Sequence, residues 1–189
     1  MGSTARALVR SSPVPLLVVR DRRRAPQRVL AAVDGSRDSR AAITTFASLP
    51  LPATTEVVLM HVVPDSRIDR HRAAAGPPGS ATSLAAALHR PGWAAELLHV
   101  TARQLPPSWA MRTEVDSGDV AERVLAHAAA AGTDLIVLGS RGTGIGDRAE
   151  GTTADRIISQ AHCAVLVGHA PVLSPSSTPT PREVPQSIA

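Results

Sequence analysis

The chain has 189 residues, 43% of them hydrophobic, which is material for one α/β domain of ordinary size with extensions and too little for two. Its formal charge of +4 rests on arginine alone, because the sequence contains no lysine, and Phe46, Trp93 and Trp109 are its only aromatic rings. Basic charge without stacking surfaces argues against a nucleic-acid partner, and the single Cys163 excludes an internal disulfide or a cysteine zinc site, leaving it the role of a small core side chain.

In chain order, Arg6 and Arg10 precede an apolar run at residues 14–19 that is broken by Pro15 and too short for a signal peptide. Gly2 is not a myristoylation site, since Arg6 stands where Ser or Thr is required. No run approaches membrane-spanning length, so no membrane partner and a cytoplasmic location are expected. Arg20, Arg22, Arg23, Arg24 and Arg28 read as a solvated run, with a linker at residues 21–27, rather than a phosphate-binding patch.

Residues 30–33, 57–63 and 135–138 are short, β-branched apolar runs without helical period, the form of parallel strands buried on both faces. Between them lie helical patterns. Asp38 or Ser39 is expected to cap a helix reaching about Ser48, with Ile43, Phe46 and Ala47 inward. A surface excursion at residues 64–92 leads to a helix near 93–104. Asp119 with Glu122 is a capping box opening a helix that ends at Gly132. This alternation predicts a three-layer α/β sandwich. The tail from 170 to 189, rich in Pro, Ser and Thr, is expected to be disordered.

Two strand ends carry turn motifs: Val33-Asp34-Gly35-Ser36 and Gly139-Ser140-Arg141-Gly142. Where neighbouring parallel strands send their crossovers to opposite faces, such ends form a ligand crevice. Taken singly, Asp34 is a common turn former and the glycines common packing residues. Converging on one crevice, they point to a nucleotide.

The two ends of the chain repeat each other. A shift of 149 positions aligns Gly2-Ser3-Thr4-Ala5 with Gly151-Thr152-Thr153-Ala154, and Leu8, Val9, Leu16, Leu17 and Val18 with Ile157, Ile158, Val165, Leu166 and Val167, without a gap. Each copy reads as a helix of about two and a half turns, a polar turn and a strand. Residues 1–20 are therefore expected to be the last helix and strand of a preceding homologous domain in a tandem pair, the last strands meeting antiparallel about a pseudo-two-fold axis. The alternative is an unrelated amphipathic helix and strand.

Residues 28–169 resemble a universal stress protein (UspA) domain, through Val33-Asp34-Gly35-Ser36, His61-Val62-Val63, the run from Asp134 to Gly142, Gly151-Thr152 and Cys163-Ala164-Val165-Leu166-Val167. The resemblance implies an adenine nucleotide alpha hydrolase-like fold, with a five-stranded parallel sheet in the order 3-2-1-4-5 and an extra N-terminal helix and strand. It also implies ATP, with magnesium accompanying it, between strands 1 and 4, and homodimer or tandem pairing through the last strands. By the same resemblance Ala32, Val33 and Asp34 hold the adenosine and Val62 walls the base. Gly139, Gly142, Gly151, Thr152 and Thr153 cradle the phosphates, and Arg141 reaches the terminal one. The family pattern places nine residues between the second glycine and the Gly-Ser/Thr pair, whereas eight separate Gly142 from Gly151 here.

Asp34-Gly35-Ser36-Arg37-Asp38-Ser39 is a distant echo of the Ser-Gly-Gly-x-Asp-Ser loop of ATP pyrophosphatases, with a repelling carboxylate first and Ser36 in place of a glycine. No paired histidine spacing and no nucleophile elbow appears, so a binder rather than an enzyme is expected, acting as a stress-response regulator. The alternative is an interaction module of the same family that has lost nucleotide binding and works through domain pairing and protein contacts.

Overall fold

The computed structural model describes residues 9, 12–20, 25–64, 92–142 and 152–171. Residues 65–91 of the excursion expected over 64–92, the glycine loop at 143–151 with Gly151, and the tail from 172 lie outside the described residues, as does most of the expected N-terminal helix.

In chain order the elements are β1 (Leu16–Val18), β2 (Arg28–Ala32), α1 (Arg37–Ala47), β3 (Glu56–Val63), α2 (Trp93–Ala102), β4 (Ala110–Ser117), α3 (Val120–Ala130), β5 (Leu135–Gly139), α4 (Thr152–Gln160) and β6 (Ala164–Gly168). The strands form one sheet in the order β1-β6-β5-β2-β3-β4. All neighbours are parallel except β1, which runs antiparallel to β6. The five-stranded sheet expected in the order 3-2-1-4-5 is thus corrected to six strands, because β1 docks on the β6 edge and becomes part of the sheet.

The apolar runs behave as continuous hydrophobicity demands. β2, β3, β5 and β6 are buried along nearly their whole length between two helical layers. One layer, α3 and α4, packs Val124, Ile157 and Ile158 on Leu30, Met60, Ile136 and Val165. The other, α1 and α2, packs Ile43, Phe46 and Leu98 on Val29, Leu59, Val137 and Leu166. Phe46 and Trp109 meet at a ring separation of 4.9 Å, so two of the three aromatic side chains build this second core.

Helix ends follow local chemistry, with one correction. Asp119 caps α3 by accepting the Glu122 N–H at 2.9 Å, and Gly132, at φ 59°, closes the helix while Thr133 N–H reaches back to Ala128 C=O. The cap of α1 is Ser36, not Asp38 or Ser39: its hydroxyl accepts the Ser39 N–H at 3.0 Å, so the helix starts at Arg37 and Asp38 falls inside its first turn. Two members of the arginine run, both exposed, also make specific contacts at helix ends. Arg28 donates to Ala131 C=O at the end of α3, and Arg20 donates to Ile158 C=O near the end of α4.

Glycine lets α1 lie unusually close to the sheet. A Cβ on Gly139 would sit 2.6 Å from the Ser39 nitrogen, and one on Gly168 would overlap the backbone of Ala42. Among the described residues no helix is long and apolar enough to cross a membrane. Replacing Gly168 with Ala should force α1 off β6 and cost ~1–3 kcal/mol, read as a lower urea midpoint at unchanged m value. A midpoint equal to the parent's would show that α1 does not press on β6.

Candidate functional site

The crevice is assembled from the carboxyl end of β2 outward. Val33 N–H donates to Met60 C=O at 2.8 Å, and Val33 C=O accepts the Nδ1–H of buried His61 at 2.7 Å. His61 in turn meets Trp93 edge to face, with ring centroids 5.1 Å apart. Both bonds of Val33 are therefore made inside the fold, and the chain leaves the strand from a fixed point. It turns at Gly35, whose φ of 77° suits a residue without Cβ. Asp34 Oδ1 accepts the Ser36 N–H at 2.9 Å, an Asx turn that orients the carboxylate.

From β5 the loop comes to meet it. Ser36 Oγ donates to Arg141 C=O at 3.1 Å, and a Cβ built on Gly142 would stand 3.0 Å from Asp34 Oδ2. Asp34 and Gly142 are thus in near contact across the ends of two adjacent parallel strands. The helix after β2 packs on one face and the helix after β5 on the other, so this is the switch point of the sheet.

Asp38 holds the two loops and the end of β6 together. Its side chain is buried, accepting Ser140 Oγ–H at 2.5 Å and Arg141 Nε–H at 2.9 Å on one oxygen and Ala170 N–H at 2.9 Å on the other. Burial pushes its pKa upward, but the bonds from Arg141, Ser140 and Ala170 outweigh that and hold it below the ordinary aspartate value.

The expected site residues divide by position. Ala32, Val33, Asp34, Gly139, Arg141 and Gly142 gather at the ends of β2 and β5, and Val62 lies near the end of β3, buried in the α3/α4 core. Gly139 packs under the first turn of α1, so its missing side chain serves that approach. Gly142 is not at positive φ; what constrains it is the nearness of Asp34. Thr152 and Thr153 open α4, and the N-terminus of a helix favours anions. Gly151 lies outside the described residues.

Sequence reasoning missed Asp38, His61 and Trp93 as parts of the site. Trp93, set aside as a stacking surface on composition, lines a groove of about 510 Å³ between α1 and α2, together with Asp34, Arg40, Glu96, Leu97 and Gln104. Arg40 seals its upper end by donating twice to Gly35 C=O, at 3.1 and 2.8 Å. The histidine of a His-Val-Val run after a buried strand was the available signal, since a polar ring there needs a partner.

The model of the universal stress protein family matches residues 26–169. No curated protein matches the chain. Among solved structures, the hypothetical protein MJ0577 is similar at 20% identity over 75% of this chain and 94% of its own, with a TM-score of 0.58. A universal stress protein in complex with cAMP is similar at 15% identity over 78% of this chain and 99% of its own, TM-score 0.52. A family protein from Arabidopsis thaliana with AMP bound is similar at 13% identity over 75% of this chain and 90% of its own, TM-score 0.50. At these identities the likeness is one of fold.

Because the folded-state pKa of Asp38 is depressed, its stabilisation is complete above the unfolded value and is lost as pH falls through the folded one, below about pH 4. Asp38→Asn keeps the volume but removes the charge. It should lower stability at pH 7 by ~1–3 kcal/mol and flatten the acid limb of a urea-midpoint profile. An acid limb matching the parent's would take Asp38 out of this role.

Proposed function

Because the chain belongs to the universal stress protein family, we propose that it binds an adenine nucleotide, ATP in the first instance, at the ends of β2 and β5, and that occupancy governs its action as a stress-response regulator. The observation that carries this is the approach of Gly142 to Asp34. A side chain there would close the crevice, and its absence leaves backbone that can come close to a ligand. The bound cAMP and AMP of the two structural neighbours support the ligand class.

Each residue has a chemical part. Asp34, oriented by the Ser36 N–H, accepts from ribose or adenine donors, with Ala32 and Val33 leading into it along the chain and Val62, largely buried in the α3/α4 core, assigned to the base by the family resemblance alone. Phosphates belong toward Gly142 and the start of α4 at Thr152 and Thr153, where a helix N-terminus favours anions; Gly151, the remaining member of the expected cradle, lies outside the described residues. Arg141, anchored by Asp38, brings positive charge to the same end. Magnesium arrives as the counterion of the phosphates, and the role is binding rather than turnover. The loop one residue short of the family pattern is what most directly favours the alternative, a module acting through protein contacts alone.

Calorimetry with ATP separates the two. Gly142→Val should weaken ATP binding at least about tenfold, ~1.4 kcal/mol, by driving a branched side chain against Asp34, and Asp34→Ala should weaken it as well. An unchanged affinity for Gly142→Val would put the ligand elsewhere. A parent chain that binds neither ATP nor AMP would leave the protein-contact module standing.

A further inference from the structure

The fold uses its three Phe and Trp rings unequally. Phe46 and Trp109 are buried against each other in the core beneath α1 and α2. Trp93, the first residue of α2, is only half-buried and borders the groove of about 510 Å³ between α1 and α2. That volume lies within the range of small-molecule sites, roughly 300–1,000 Å³, and Val33, Ile43, Leu97 and Val100 supply apolar wall beside the indole.

Trp93 stands at a set place relative to Asp34. His61 meets it edge to face at a ring separation of 5.1 Å, and His61 is itself bonded to Val33 C=O, the residue from which Asp34 follows. A Cβ on Gly35 would lie 3.8 Å from Trp93 Cζ2 and 3.5 Å from Leu97 Cδ1, so α2 abuts the Asp34 turn directly. Arg40 is drawn onto the same turn from α1, through Gly35 C=O. Asp34 therefore belongs to two spaces: it approaches Gly142 in the crevice and borders the groove of Trp93.

Side-chain direction along β3 decides which neighbour can meet a base, because successive residues of a strand point to opposite faces. Val62 is packed into the α3/α4 core and 6% exposed, which leaves its side chain no face for a ligand. His61, one residue earlier, points the other way and meets Trp93. A base beside Asp34 finds a flat apolar partner on the α2 side alone.

On the premise that a nucleotide binds at the ends of β2 and β5, we propose that its base lies in the groove between α1 and α2, stacked on Trp93. The ribose sits at Asp34, and the phosphates point to the other side of the sheet, toward Gly142 and α4. The ligand thus straddles the switch point, and Trp93 is the residue that positions the base.

Fluorescence reads this contact, since Trp93 and Trp109 are the only indoles. ATP should change the emission of the parent, and the change should vanish in Trp93→Phe, which keeps only the core Trp109. Inorganic triphosphate, which has no base, should compete with ATP and leave the emission unmoved. In calorimetry Trp93→Leu should weaken ATP binding about five- to a hundredfold, whereas Trp93→Phe, which keeps a flat ring, should stay within about threefold of the parent. Equal losses in both variants would mark a structural role for Trp93 and overturn the inference. Parent-like affinity in Trp93→Leu, with Gly142→Val still weakening ATP, would overturn it too, leaving the nucleotide site standing with the base elsewhere. If Trp93→Leu does not fold, the parent decides: emission unmoved by saturating ATP, or moved equally by triphosphate, overturns the inference. A parent that binds no ATP removes the site and the inference together.

Discussion

A buried carboxylate holds the ligand end of this molecule together. Asp38 sits in the first turn of α1 with its side chain 4% exposed, where an unpaired charge could not survive. It survives because three donors from two other segments converge on it: Ser140, Arg141 and the Ala170 N–H. Those donors reach it only because α1 lies low over β5 and β6, and α1 lies low because positions 139 and 168 carry no side chain. Remove the glycines and the helix rises. Remove the carboxylate and the loop after β5, the end of β6 and the start of α1 lose their common point.

The opposite loop is fixed by a different economy of bonds. At the end of β2 the ladder would ordinarily fray, leaving Val33 C=O to water. His61 supplies the missing donor from within the core, and Trp93 packs on the histidine from α2. Asp34 therefore projects from a residue whose backbone is satisfied on both sides. Two anchors, His61 beneath one loop and Asp38 beneath the other, hold the strand ends between which Asp34 and Gly142 approach each other. That is how a crevice built largely of loops acquires a definite width.

How much of this the sequence disclosed depends on the range of the forces involved. β2, β3 and β5 were visible because continuous apolar runs mean burial on both faces, and α3 was visible because its cap chemistry is local. β4 was not: Ala110–Ser117 reads Ala-Met-Arg-Thr-Glu-Val-Asp-Ser, an edge strand with no apolar run, held by pairing all eight residues with β3. The start of α1 was misplaced because Ser36, Asp38 and Ser39 are all competent caps, and burial decided among them by drawing Asp38 inward. In the site, Asp34 and Gly142 stood out by motif. His61 and Trp93 did not, since their contact joins β3 to α2 across an intervening segment of sequence that carries no periodicity. The glycine at 168 was silent for the same reason: its necessity lies in Ala42, which only the packed structure brings there.

The repeat at the two chain ends was legible as a pattern, but its physical content lies in what it touches. His169 donates to Val9 of the arm, and the next residue, Ala170, donates its N–H to Asp38. One peptide unit thus separates the bond that seats the arm from the bond that seats the anchor of the Arg141 loop. Contiguity alone is no coupling; a coupling free energy requires an element with two arrangements that both sites bias. The segment just past β6 has the position for it. Its side-chain bond at His169 is made to the Val9 carbonyl of the arm, and its backbone bond at Ala170 helps hold Asp38, Ser140 and Arg141 in their present geometry. The arm therefore bonds a residue adjacent to the one whose N–H completes the partners of Asp38.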